Sequence, residues 1–178
     1  MPTFETVRFG ELNYREQDVV RLAAGLIGLP DLQRWLILDL AGALPAKWLQ
    51  SLDRADFGLP VMQPYFYADD YDPPLSESVR QLIGCHSNQN LVTLIITTVH
   101  EGGTKISGNL LAPLIIDTES RQGIQLTLDD SRYQIRQEID YFKFGLAVSP
   151  ESSDNSVPAE ATLQQTDRTA EETETVKL

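Results

Sequence analysis

Two histidines, His86 and His100, and a single cysteine, Cys85, are the soft ligands of this chain. A structural zinc site takes four Cys or His ligands at short spacings, and a catalytic one takes three plus an open position. Cys85 and His86 are neighbours, which a strand or a helix points in different directions, and His100 alone cannot complete a set. Cys85 follows an apolar helical stripe and reads as a small hydrophobe, more or less buried, before it reads as a nucleophile. A Ser-His-Asp triad would have to be built from distant residues, and no nucleophile-elbow pattern is present. The paired acids Asp69-Asp70 and Asp129-Asp130 fit turns and solvated faces better than acid–base pairs. Gly102-Gly103-Thr104-Lys105 ends like a phosphate loop, but the upstream glycine is missing and Ile106 stands where Ser or Thr is needed. Gly25-Leu26-Ile27-Gly28 lacks the three-glycine spacing of a dinucleotide fingerprint. No catalysis, metal or cofactor is expected from this inventory.

The aromatic residues Tyr65, Phe66, Tyr67 and Tyr71 gather beside Asp69, Asp70 and Asp72. Aromatic clusters on a barrel stack nucleic-acid bases when Lys and Arg supply the electrostatic half of the contact. Here the neighbours are acids, so a core-and-rim cluster or a protein interface fits better. Net charge is −12, of which residues 151–178 carry −5. So acidic a surface repels phosphate backbones and suits a basic protein partner, although acidity also serves solubility alone.

The elements that must position these residues are mostly short strands. Thr3 to Phe9, closed by Gly10, is rich in Thr, Val and Phe. Arg34 to Leu40 holds the apolar run Trp35-Leu36-Ile37-Leu38. Phe57 to Tyr67 is interrupted by Pro60 and Pro64, which suggests an edge or a bulge. Leu91 to Val99 is apolar or threonine on both faces and is expected to be central. His100 to Lys105 reads as a hairpin turn, and Leu110 to Ile116 as a buried strand with Pro113 inside it. Ile124, Leu126 and Leu128 alternate toward a core, as do Tyr133, Ile135 and Ile139. One helix is marked by Leu75, Val79, Leu82 and Ile83, with Asp72-Pro73 at its start and Gly84 at its end. Leu44 to Leu52 fits a short helix or a strand.

This pattern predicts a mainly β single domain: a compact antiparallel or mixed β-barrel-like fold with one short helix, over residues 1–148. Residues 149–178 are polar and acidic, hold no aromatic residue, and are expected to form a disordered tail. The first ten residues lack the apolar stretch of a signal peptide, and no apolar run approaches spanning length. One cysteine cannot form an internal disulfide. A cytoplasmic protein that is monomeric when free, with no membrane contact, is the expectation.

Four segments in order, at matching separations, resemble the flagellar assembly factor FliW family. They are Thr6-Val7-Arg8-Phe9-Gly10-Glu11, Gly25 to Leu32, Trp48 to Asp53 continuing to Pro64 and Asp70-Tyr71, and Asn109-Leu110-Leu111-Ala112-Pro113 with Leu128-Asp129-Asp130-Ser131 and Tyr133. The second segment departs from the family pattern: Leu22-Ala23-Ala24-Gly25-Leu26-Ile27-Gly28-Leu29 lacks the usual prolines, the glutamate and the final aromatic. The acidic tail also extends past the usual family length.

The resemblance implies a binding protein without enzymatic activity. It implies binding to newly made flagellin and to the RNA-binding carbon storage regulator CsrA, whose repression of flagellin translation the family antagonises. The two partners exclude one another, and the regulator is inhibited allosterically rather than by charge mimicry. Arg8, Phe9, Asp69, Asp70, Tyr71, Asn109, Asp129, Asp130 and Ser131 are the expected partner-binding residues, with Arg8 and Phe9 lining a groove. For Asn109 a turn-shaping role stands beside the binding role. Two other readings stay open: a single-stranded RNA-binding β-barrel module, and a hydrolase using Cys85 or a carboxylate.

Overall fold

The computed structural model describes residues 1–40, 45–100 and 105–139. Among these described residues the eleven strands are β1 (Thr3–Thr6), β2 (Gly10–Asn13), β3 (Val20–Leu22), β4 (Arg34–Asp39), β5 (Lys47–Ser51), β6 (Gly58–Met62), β7 (Leu91–His100), β8 (Lys105–Gly108), β9 (Leu114–Asp117), β10 (Gln122–Gln125) and β11 (Gln137–Glu138). Among the described residues there is one α-helix, α1 (Glu77–Leu82).

Seven strands close a mixed barrel. Antiparallel pairing runs β3-β4-β5-β6-β7, then β7-β9-β10, and a short parallel seam joins β10 back to β3. The long strand β7 makes this possible. Its first half pairs with β9 through Leu91 to Leu94, its middle with β6, and its last four residues with β8. The predicted central strand therefore has three partners. The β8–β11 pair extends the sheet beyond the barrel. At the parallel seam Gly123 is close-packed: a Cβ there would lie 2.9 Å from both the Ile115 carbonyl oxygen and Leu22 Cδ2. Only a residue without a side chain lets these backbones meet.

Three apolar clusters hold the molecule. The barrel interior is filled by Leu22, Trp35, Leu49, Val61, Leu94 and Leu114, with their neighbours. Met62, Tyr67, Ile95, Ile106, Leu110, Tyr133 and Ile139 form a second core beneath the β7–β8 extension. The β1–β2 hairpin covers Leu36, Leu38 and Leu52 on the outer face. Trp35-Leu36-Ile37-Leu38 is apolar throughout for this reason: β4 is covered on both faces, inside by the barrel and outside by the hairpin. Each fully buried large side chain contributes about 1.5–3 kcal/mol of transfer free energy.

Several local expectations are revised. The first strand stops at Thr6. The Thr6 hydroxyl donates to the Gly10 carbonyl (2.9 Å) and accepts from the Phe9 N–H (3.0 Å), turning the chain into β2. The ambiguous segment resolves as strand β5, with Leu44 outside the described residues. Pro60 lies in an internal strand rather than at an edge. It sits opposite Trp48 of β5, and the ladder with β7 begins only at Val61, so its missing N–H costs nothing there. Pro64 opens a 3-10 turn, Pro64–Phe66.

Leu110 to Pro113 is a buried turn, and β9 starts after the proline. Pro113 is thus not inside a strand. Strand β10 begins two residues earlier than its alternation suggested and ends at Gln125, leaving Leu126 and Leu128 half-buried in irregular chain. In the last stretch Tyr133 and Ile139 are buried but Ile135 is 64% exposed, and only Gln137–Glu138 is strand. The helix starts later than Asp72-Pro73: Ser76 caps it by accepting from the Val79 N–H. Ile83 is buried at its end, whereas Leu82 is 62% exposed, so the stripe is narrower than its periodicity. The β7–β8 hairpin is present, its tip at 101–104 lying outside the described residues, as do residues 140–178 with the expected domain boundary and tail.

Candidate binding surface

The polar residues singled out by sequence occupy three places. The first is a hub around Tyr71 and Tyr133, whose rings meet at 4.6 Å between centroids. The Tyr71 hydroxyl donates to the carbonyl of buried Leu110 (2.6 Å), and the Tyr133 hydroxyl accepts from the Asp72 N–H (3.3 Å). These contacts tie three distant segments together: the 64–72 loop, the Leu110 turn and the 130–133 turn. Burial pushes the Tyr71 hydroxyl above the ordinary tyrosine range, with Tyr133 and Asp130 adding to the shift. Asp130 accepts from Arg132 through Nε (3.0 Å), Nη2 (2.7 Å) and the backbone N–H (3.0 Å). Hydrogen bonding from the Arg132 side chain and then its backbone holds the Asp130 carboxyl below the usual carboxylate range. Arg132 in turn lies over the Tyr133 ring at 5.1 Å. Asp69, Asp70, Asp129 and Ser131 are exposed, and Asp70 is near enough to favour the charged form of Arg132. The fold thus brings Asp70, Tyr71, Asp130 and Ser131 to one acidic surface over an aromatic base.

The second place is a cleft of about 430 Å³. One wall is the Leu26–Leu29 turn and the other runs from Asn109 to Ala112 and along Ile135-Arg136. Asn109 performs the turn-shaping role: its side-chain oxygen accepts from the Leu111 N–H (3.1 Å). It also lines the cleft. The turn carrying the family departure is held by reciprocal backbone hydrogen bonds between Leu26 and Leu29, with Gly25 at φ +65° and Gly28 at φ +82°. Ile27 at its tip is 59% exposed, and its N–H donates to Gln125 Oε1 (2.8 Å). Gln125 also donates through Nε2 to the Ala112 carbonyl (3.2 Å), pinning both walls to β10.

The third place is the tip of the β1–β2 hairpin. Arg8 and Phe9 lie against each other and stack on Trp48. The Arg8 guanidinium sits 4.3 Å from the Trp48 ring, and Phe9 meets Trp48 edge-on at 6.0 Å. Val7 beside them is 78% exposed.

Ile27, Gln125, Ile135 and Arg136 were not anticipated. Gln125 contacts a residue 98 positions away, a relation no local pattern carries. Ile135 was assigned to the core by alternation, and only its exposure reveals it as surface. As for chemistry, His100 Nε2 lies 2.8 Å from Ser107 Oγ in the cleft, a diagonal pair across β7 and β8. Ser107 itself is buried at 5% exposure. Cys85 Sγ is engaged with the Ser87 carbonyl. No group of three or more His, Cys, Asp or Glu side chains is placed to hold a metal among the described residues. No helix among them is long and apolar enough to cross a membrane.

The FliW protein family model matches residues 3–139, the whole of the barrel, its extension and the covering hairpin. The chain is 32% identical over 135 residues to the flagellar assembly factor FliW of Caldanaerobacter subterraneus subsp. tengcongensis, covering 75% of this chain and 90% of that one. It is 32% identical over 139 residues to the one of Lachnospira eligens (76% and 92%), and 28% identical over 134 residues to that of Bdellovibrio bacteriovorus (75% and 77%). A crystal structure of the flagellar assembly factor FliW superposes with a TM-score of 0.71 at 24% identity, covering 77% of this chain and 96% of that one. That likeness shows the shared barrel fold. With the matched segment spanning every strand from β1 to β11, the chain belongs to the FliW family, whose relatives are flagellar assembly factors.

Proposed function

We propose that this chain is a cytoplasmic, non-enzymatic flagellar assembly factor. It binds flagellin and, in exclusion of it, a CsrA-type RNA-binding regulator, so that flagellin synthesis follows filament assembly. The observation that carries this reading is family membership across residues 3–139. The net charge of −12 supports it, because an acidic factor is steered toward a basic RNA-binding partner. The acidic surface of Asp70, Asp129, Asp130 and Ser131 is the candidate face for that partner, and the aromatic hub beneath holds it in shape. The Tyr71 and Tyr133 rings are spent on each other and on backbone groups, which argues against their serving as free platforms for bases.

The test is size-exclusion chromatography with light scattering on the protein mixed separately with the host's flagellin and its carbon storage regulator. Co-elution with each, and displacement of one by the other, is expected. Binding to neither, with all components folded, would overturn the proposal. A salt-dependent shift with single-stranded RNA would replace it with the RNA-binding reading.

A further inference from the structure

We propose that the chain's own acidic C-terminal segment, residues 151–178, docks in the cleft between the Leu26–Leu29 turn and Ile135-Arg136. The cleft is suited to an acidic and partly apolar occupant. In a chain of net charge −12, none of the described side chains lining it is acidic. Arg136 lines it and has no ion-pair partner among the described residues, and Asn109, Gln125 and His100 add polar groups. Its floor and rim are apolar, from Leu26, Leu29, Phe57 and Leu59 to exposed Ile27 and Ile135.

The segment has the complementary composition. It carries seven acids and two bases, interspersed with Val157, Leu163, Val176 and Leu178. The described chain also ends close to the cleft in sequence, at Ile139, three positions after Arg136, with the Ile139 N–H bonded to Ile106 of β8. A flexible linker of the 22 residues from 140 to 161 would have an r.m.s. span of about 25 Å, enough to reach the cleft mouth. Tethering at this length gives an effective concentration on the order of millimolar, so weak contacts suffice.

The body as a whole is acidic and repels the segment. Beyond a Debye length of about 8 Å that repulsion is screened, and the local field of the cleft decides. The family model ends at residue 139, and relatives covered over about nine-tenths of their length match only three-quarters of this chain. The segment is therefore an addition that this chain carries and the shared fold does not require. Docking in cis would make any partner that uses the cleft compete with the tail.

The test uses the full chain and no partner, so its outcome is independent of whether flagellin or the regulator binds. A nitroxide is attached to Ala161→Cys in a Cys85→Ser background, and paramagnetic broadening of backbone amides is read by NMR. Amides of Ile27, Asn109, Ile135 and Arg136 are expected to broaden several-fold more than those of Arg8 and Glu11. The preference should fade with Arg136→Glu, and in about 1 M salt, where the Debye length is about 3 Å. A well-dispersed spectrum for Arg136→Glu confirms that it folds. Uniform weak broadening would overturn the proposal. So would broadening that disappears when labelled chains are diluted with unlabelled ones, which would assign the cleft to a second copy.

Discussion

Replacing Tyr71 by Phe removes one oxygen and tests whether the hub positions the acidic surface. The Tyr71 hydroxyl donates at 2.6 Å to the Leu110 carbonyl, and Leu110 is 1% exposed. Without that donor, a carbonyl in a buried turn is left unpaired, a loss of about 1–3 kcal/mol. Tyr71 is itself half-buried, so water partly substitutes and about 1.5 kcal/mol is the expected cost. In urea, with a slope of about 2 kcal/mol/M, the midpoint falls by about 0.7 M at unchanged slope. Tyr133→Phe is the internal control. Its hydroxyl accepts at 3.3 Å from a backbone N–H, a longer contact, and it should cost less.

The same residue has a pH signature. Its folded-state pKa is raised above the unfolded value of about 10, mainly by burial. The folded form then holds its proton where the unfolded form has released it. The stabilisation is fully present below pH 10 and is lost as pH climbs through the alkaline range toward the folded pKa. The limiting slope is about 1.4 kcal/mol per pH unit, and about half of that for a ring with one edge in solvent. Urea midpoints at pH 9, 10 and 11 should fall more steeply for the unsubstituted protein than for Tyr71→Phe. A substituted protein with the same midpoint at pH 7 and a parallel alkaline profile would refute the argument that Tyr71 clamps the Leu110 turn.

Gly25→Ala should unfold or strongly destabilise the barrel. The residue has φ +65°, and a Cβ there would stand 2.4 Å from the Leu29 carbonyl oxygen and 2.7 Å from Pro30 Cα, so strain and overlap together cost at least about 3 kcal/mol in a thermal melt. Gln125→Ala deletes the two hydrogen bonds that pin the cleft walls. A loss of about 1–2 kcal/mol is expected, with faster amide exchange confined to Ile27 and its turn; unchanged exchange would mean that the turn holds itself. Charge reversal of Asp129 and Asp130 together is expected to weaken binding of a CsrA-type regulator with circular dichroism unchanged. Of the two, Asp129→Lys is the cleaner probe, because Asp130 also anchors Arg132; titration calorimetry showing full affinity in the folded double variant would remove both from the interface.

Much of the barrel was legible because its signals are local. β-Branched and aromatic runs bounded by turn residues marked β4, β7 and the β7–β8 hairpin, and the two-sided apolar character of β7 foretold a central strand with partners all round. Net charge and the shortage of histidine and cysteine turned the functional reading from catalysis toward binding. Family-specific spacing around Asn109-Leu110-Leu111-Ala112-Pro113 and Asp129-Asp130-Ser131 supplied the identity.

Tertiary structure decided what local pattern cannot encode. Ile135 and Tyr133 share the same alternation, yet one faces solvent and the other a core, because burial depends on which segment lies opposite. Leu110 to Pro113 is as apolar as a strand but is a turn, since its hydrogen-bonding groups are met by the Tyr71 hydroxyl, Gln134 and the Asn109 side chain rather than by a ladder. The helical stripe lost Leu82 to solvent, because none of the described residues covers that face. Asp70 and Asp130, sixty residues apart, share a surface only because two tyrosines stack between their loops. The two walls of the cleft are tied together by one glutamine in β10 that reaches two loops the sequence separates widely. Element type follows from the chemistry of adjacent residues; placement of a site follows from contacts between distant ones, whose energies appear only when the chain has closed.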